Sequence, residues 1–131
     1  ALQVTSLDTC RRNRADKLPS SIQRRINLAT ALLHQPEILF LDEPTANVDL
    51  QSSNGILQIV TELNRRGVTV LVATCDGEEA ARLCHRVALI DQGRIIALDT
   101  PRALQDMVKD GSQELNLNTV FLELTGRCLQ A

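Results

Sequence analysis

Two adjacent carboxylates, Asp42 and Glu43, follow directly on the apolar run Ile38-Leu39-Phe40-Leu41 and are themselves followed by Pro44. A run of that length is too short for a helix and suits a parallel strand covered on both faces. Such a strand delivers its last residues at the sheet edge where ligands bind in open α/β folds. Neighbouring carboxylates can divide the work there. One holds Mg²⁺, directly or through water, while the other accepts a proton from a water that attacks a phosphoryl group. An isolated Asp-Glu is also simply a polar strand end, so the surrounding residues decide between the two readings. Pro44 cannot donate to a ladder and ends the strand.

No other set of residues competes for this chemistry. Cys10, Cys75, Cys84 and Cys128 are scattered without a CxxC pair, and His34 and His85 fall at no ligand spacing. Neither a zinc site nor a disulfide frame is expected, and a reducing compartment fits. Six basic residues, Arg11, Arg12, Arg14, Lys17, Arg24 and Arg25, accompany the single acid Asp16. A solvated face is the plain reading of such a run, and an anion or partner contact is the alternative. The formal charge of −2 gives no electrostatic ground for a nucleic-acid partner. The longest apolar runs, Ile38 to Leu41 and Val68 to Ala73, fall far short of the ~20 residues that a membrane span needs, and no signal-peptide pattern is present.

The elements that must position the carboxylates follow from length and periodicity. A chain of 131 residues has the length of one domain, and roughly two thirds of its unfolded surface can be buried. Phe40 and Phe121 are the only aromatic residues, so packing falls to Leu, Ile, Val and Ala, which suits a helix-covered parallel sheet. Ile22, Ile26, Ala29, Leu32 and Leu33 recur at helical spacing behind Ser20-x-x-Gln23, which has the form of a capping box, and Pro36 lies beyond the end. Asp49 can cap a second helix whose Ile56, Ile59, Val60 and Leu63 share a face and which Arg65-Arg66-Gly67 ends.

Val68 to Ala73 is β-branched and apolar and reads as a second buried strand, completing a βαβ unit. Asp76 and Glu79 open a further helix leading into the strand Val87 to Ile90. Asp91-Gln92-Gly93-Arg94 then turns the chain into Ile95 to Leu98 as a hairpin. Thr100-Pro101 starts a short helix, the polar stretch Lys109 to Asn118 is a linker, and Val120 to Leu124 is a last apolar segment. The fold class is α/β: a mostly parallel sheet with flanking helices and a C-terminal β-hairpin.

The string ILFLDEPTANVD, Ile38 to Asp49, resembles the Walker B motif and D-loop of ATP-binding cassette (ABC) ATPases. Upstream, LPSSIQRRINLATALLHQPE stands where that family has its signature motif and basic helix. Downstream, VTVLVATCDGEEAARLCHRVALIDQGRIIALDTP is similar to the family's switch-histidine strand, the helix after it and the terminal hairpin. VFLELTGR, Val120 to Arg127, resembles the tail of bacterial drug-export and antibiotic-resistance members. In all, the resemblance spans roughly residues 2 to 127.

It implies a partial P-loop NTPase-like core, with residues 1–20 ending a helical subdomain, 21–108 forming the C-terminal part of the core and 109–131 a linker and helical tail. It also implies Asp42 as the magnesium-associated carboxylate, Glu43 as the catalytic base, and Asp49 as the D-loop aspartate that couples two domains across a dimer. ATP and Mg²⁺ are the cofactors of the family. Its partners are a second ATP-binding domain and a membrane permease, which put it at the cytoplasmic face of the membrane.

Four departures qualify the resemblance. Where the family has Leu-Ser-Gly-Gly, this sequence has Leu18-Pro19-Ser20-Ser21, so the serine hydroxyl and the bare glycine amides that would meet phosphate are replaced. Cys75 takes the place of the switch histidine, and a neutral thiol is a poor substitute for imidazole. Asn47 takes a D-loop glycine position. No GxxxxGK[ST] phosphate loop occurs. The chain alone is therefore expected not to bind ATP tightly, to begin within the helical subdomain, and to self-associate through an unpaired sheet side. Two functions follow: part of an ATPase subunit that drives export, or a catalytically degenerate interaction or regulatory module.

Overall fold

The computed structural model describes residues 5, 7, 14, 17–108 and 116–126. Cys10, Arg11, Arg12, Asp16, Cys128 and most of the expected linker lie outside the described residues. The chain divides into two units, Ala1–Ala73 and Thr74–Ala131.

In the first unit α1 (Ser20–Ala31) precedes β1 (Ile38–Asp42), α2 (Leu50–Arg65) and β2 (Thr69–Ala73). The expected capping box does not form. Pro19 is the N-cap, its carbonyl accepting from the amides of Ile22 and Gln23 at 3.0 Å each, and among the described residues no side chain caps the helix. Pro19 draws the helix start one residue earlier, because its fixed φ suits a helix entry. Gln23 then donates through Nε2 to the Leu18 carbonyl at 2.7 Å. Leu28 and Ala29 are buried, whereas Leu33 lies past the last helical turn and is 66% exposed.

β1 and β2 pair in parallel, from Ile38 opposite Thr69 to Asp42 opposite Ala73. The connecting α2 buries the Ile56, Ile59, Val60 and Leu63 face together with Leu57. It is followed by Gly67 at φ +95°, a conformation that costs glycine least. Leu28, Leu39, Ile59 and Leu63 form one apolar cluster across α1, β1 and α2.

The two strands are not covered on both faces. Side chains alternate along a strand, so Leu39 points into the cluster at 5% exposure while Ile38, Phe40 and Leu71 stand 54%, 73% and 51% exposed. Continuous apolar sequence reports that both faces are greasy. It does not report that both are occupied.

The second unit holds α3 (Gly77–Leu83), β3 (Val87–Asp91), β4 (Arg94–Asp99), α4 (Pro101–Asp106) and α5 (Leu117–Thr125). β3 and β4 form the expected antiparallel hairpin, with Gln92 at φ +48° and Gly93 at φ +74° in the turn. Thr100 caps α4 by accepting from the Ala103 amide at 3.2 Å, with Pro101 in the first turn. The last apolar segment is a helix that starts earlier than the apolar run, because Asn116 caps it by accepting from the Thr119 amide at 2.9 Å. Leu117 and Asn118 therefore belong to α5 and not to a linker. Leu89, Leu104, Leu117, Val120 and Phe121 make the core of this unit. Among the described residues no helix is long and apolar enough to cross a membrane.

Candidate functional site

β1 delivers its carboxylates as its sequence leads one to expect, and the backbone reverses immediately after them. Asp42 is exposed and, by strand alternation, lies on the same face as Ile38 and Phe40. The Glu43 amide donates to the Ala73 carbonyl at 2.8 Å, carrying the parallel ladder one step past Asp42. Glu43 itself sits at φ +43° and is half-buried. For a residue with a Cβ, that left-handed conformation costs about 1–2 kcal/mol. It is held by its flanking bonds: the Glu43 carbonyl accepts from the Ala46 amide at 3.2 Å and that of Thr45 from the Val48 amide at 3.4 Å, with Pro44 buried between them. Asn47 takes φ +60°, so the position where the resemblance places a glycine is one whose backbone favours glycine. Asparagine is among the residues that tolerate it best.

Asp49 closes the turn and starts α2. Its carboxylate accepts from the Ser52 hydroxyl at 2.6 Å and from the Ser52 amide at 2.9 Å. These bonds, the hydroxyl first, hold its pKa below the ordinary aspartate value although the group is exposed. Asp42, Glu43 and Asp49 thus lie along a single strand-turn-helix passage of the first unit.

The stretch at the signature position leads into α1 of the same unit. Leu18 and Ser21 are half-buried, and Pro19 and Ser20 are exposed. One side chain ties this helix to the turn after Glu43: Arg24 donates through Nη2 to the Ala46 carbonyl at 3.3 Å. The next residue packs against α2, where the Arg25 guanidinium occupies the space that a side chain on Gly55 would need. Its Nε is buried and has no hydrogen-bond partner. The solvated-face reading of the basic run therefore fails for Arg24 and Arg25, which are half-buried, and holds for the exposed Lys17. Nothing near the arginines in sequence signals this, since Gly55 and Ala46 are what make room and offer the acceptor.

Cys75 belongs to the second unit. It is half-buried in a turn where Thr74 Oγ1 accepts from the Asp76 amide at 3.1 Å. Asp76 caps α3 by accepting from the amides of Glu78 at 2.9 Å and Glu79 at 3.1 Å. The Gly77 amide donates instead to Asn118 Oδ1 of α5 at 3.0 Å, a contact no local pattern announces. Cys84, at the end of α3, has its thiol pKa pushed up, first by burial and then by the Glu79 charge. His34 and His85 are exposed. Among the described residues no three acidic, histidine or cysteine side chains cluster as a metal cage.

No protein-family model matches the chain. It is 40% identical over 99 residues to the linearmycin resistance ATP-binding protein LnrL of Bacillus subtilis, covering 76% of this chain and 32% of that protein. It is also 40% identical over 103 residues to the Nod factor export ATP-binding protein I of Paraburkholderia xenovorans, covering 79% of this chain and 34% of that protein. The chain spans about a third of the length of these curated relatives. Among solved structures it superposes on the dimeric, post-hydrolysis state of the ATP-binding cassette MJ0796 bound to ADP and Pi. The TM-score is 0.67 at 28% identity, over 76% of this chain and 43% of that one.

Proposed function

As this chain is homologous over most of its length to ABC-transporter ATP-binding proteins of the export and antibiotic-resistance type, we propose that it supplies the water-activating part of a nucleotide site that drives export. The observation that carries the reading is the end of β1: Asp42 exposed at the last ladder position, and Glu43 locked in a left-handed turn directly behind it. Glu43 is the proposed general base, its backbone held on both sides by hydrogen bonds of the turn. Asp42 is the proposed Mg²⁺ ligand. Magnesium keeps several waters and takes only one or two carboxylates beside substrate phosphates. An exposed carboxylate that belongs to no cluster of three ligating side chains among the described residues fits that demand. Asp49 serves as helix cap and, on this reading, as the D-loop contact to a second ATP-binding domain.

The amide cradle and lysine of a phosphate loop are not in this sequence, so they come from another polypeptide segment. The dimeric state of MJ0796 supports a second ATP-binding domain as partner. The export proteins among the relatives support a membrane permease, with the chain acting at the cytoplasmic face.

The test is complementation. Mg-ATP titrated into the chain alone is expected to show no micromolar binding. Adding a phosphate-loop polypeptide from a homologous export subunit, itself unable to turn over ATP, is expected to produce hydrolysis. Glu43→Gln should lower that hydrolysis about 10²- to 10⁴-fold, the range that a positioned general base contributes. Turnover unchanged by the substitution would sink the assignment.

A second reading, an interaction or regulatory module without turnover, is favoured by the signature end of α1. Pro19 stands there as the N-cap, and among the described residues no side chain accepts a capping bond from the first amides of the helix. On that reading the chain co-sediments with an intact export ATP-binding subunit, while the complementation assay stays silent with and without Glu43→Gln.

A further inference from the structure

We propose that Asn118 is a positioning residue through which α5 sets the conformation of the Thr74–Gly77 loop, and with it the side chain presented at position 75. The amides at the start of α3 show how the loop depends on α5. Asp76 takes those of Glu78 and Glu79, and the Gly77 amide is left for Asn118 Oδ1, 41 residues further along the chain, at 3.0 Å. Glycine has the widest backbone freedom of any residue, so a bond to the Gly77 amide from outside narrows the conformations left open by the Thr74 Oγ1 bond and the Asp76 cap.

The two helices meet here with room for a hydrogen and no more. A Cβ on Gly77 would collide with Asn118 Oδ1 and lie 2.9 Å from the Asn118 backbone nitrogen. Asn118 is itself exposed, but its buried neighbours place the backbone of α5 that carries it. Leu117, Val120 and Phe121 are 1%, 0% and 6% exposed in the core, and Ala80 and Ala81 of α3 pack on the same cluster. Docking α5 therefore places the acceptor, the acceptor holds the Gly77 amide, and the held amide limits the loop. Release of α5 frees all three together.

That position 75 matters for nucleotide chemistry rests on the reading above; the coupling itself does not. It is tested on the intact chain, without nucleotide, by alkylation with iodoacetamide under native conditions and peptide mass spectrometry of Cys75. Cys84, half-buried in the same unit, reports general opening. Asn118→Ala is expected to raise the Cys75 rate relative to Cys84 about fivefold, the factor corresponding to loss of one hydrogen bond's net contribution. Gly77→Ala should do the same by forcing the helices apart, whereas Asn118→Asp, which keeps an acceptor oxygen, should leave the ratio near that of the unsubstituted chain. If Asn118→Ala fails to fold, Asn118→Ser carries the same comparison.

An unchanged ratio in the alanine variants overturns the proposal. So does a parallel rise of Cys75 and Cys84, which signals loss of stability alone, and so does Asn118→Asp behaving like the alanine variant. Since no ATP enters the assay, this result and the complementation result can fail independently.

Discussion

In the first unit the sheet rests one face on α1 and α2 and leaves the other open, with Phe40 73% exposed and Asp42 on that same face. In the second, the hairpin, α4 and α5 close over Leu104, Leu117 and Val120, none of them more than 1% exposed. The turn that carries the carboxylates of the first unit is held by the local Glu43–Ala46 and Thr45–Val48 backbone bonds and the Asp49 cap, and from further off by the Ala73 carbonyl of the neighbouring strand and by Arg24. The Cys75 loop of the second is held locally by Thr74 Oγ1 and the Asp76 cap, and from a distance by Asn118 of a helix that packs in the core. Both are held by local and long-range bonds; the long-range bond of the first unit belongs to a sheet with an exposed apolar face, whereas that of the second inherits the stability of the buried core behind it.

The largest expected difference tests that contrast directly. Leu104→Ala should cost about 2–5 kcal/mol in denaturant unfolding, because a fully buried leucine leaves a cavity the core refills only in part. Phe40→Ser should change stability by less than about 0.5 kcal/mol, as substitutions at exposed positions generally do. Equal costs at the two positions would mean that the open face is covered in solution, and the contrast would fail.

A smaller effect is expected at α1. Pro19→Ser places a hydroxyl at an N-cap that has no side-chain bond and should stabilise the chain by about 1 kcal/mol, read as a shift in the unfolding midpoint. No gain would mean that the turn around Leu18 already satisfies the helix start.

The smallest effect concerns Asp49. Its pKa is lowered in the folded chain, so its ionised form stabilises the fold at neutral pH. That contribution is lost as pH falls below the ordinary aspartate value and through the lowered one. Asp49→Asn keeps a capping oxygen but cannot titrate, so the variant should show a flatter dependence of thermal midpoint on acid pH than the unsubstituted chain. Identical profiles would show that the carboxylate charge contributes nothing to the cap.

Much of the candidate site was legible in the residues alone. The cap at Asp49, the stop at Gly67 and the Gln92-Gly93 hairpin turn depend on contacts between residues a few positions apart, and the strand ending in Asp42-Glu43, though it pairs with β2, is marked by its own apolar run. The capping box expected at Ser20 does not form because Pro19 takes the N-cap position and Gln23 bonds the Leu18 carbonyl. That competition is settled by geometry among neighbours of similar chemistry. The early start of α5 was misread because the apolar run hid the cap at Asn116.

The sequence by itself determined the elements that carry Asp42, Glu43 and Asp49, since helix caps, turns and strand alternation act over one to four residues. Only the tertiary structure decided which faces of those elements are covered, that Arg24 reaches Ala46 and Arg25 lies on Gly55, and that Asn118 holds the loop beside Cys75. Those contacts join residues from 22 to 41 positions apart. A pairing at that separation exists only after the chain between has folded, so no pattern read along the chain contains it.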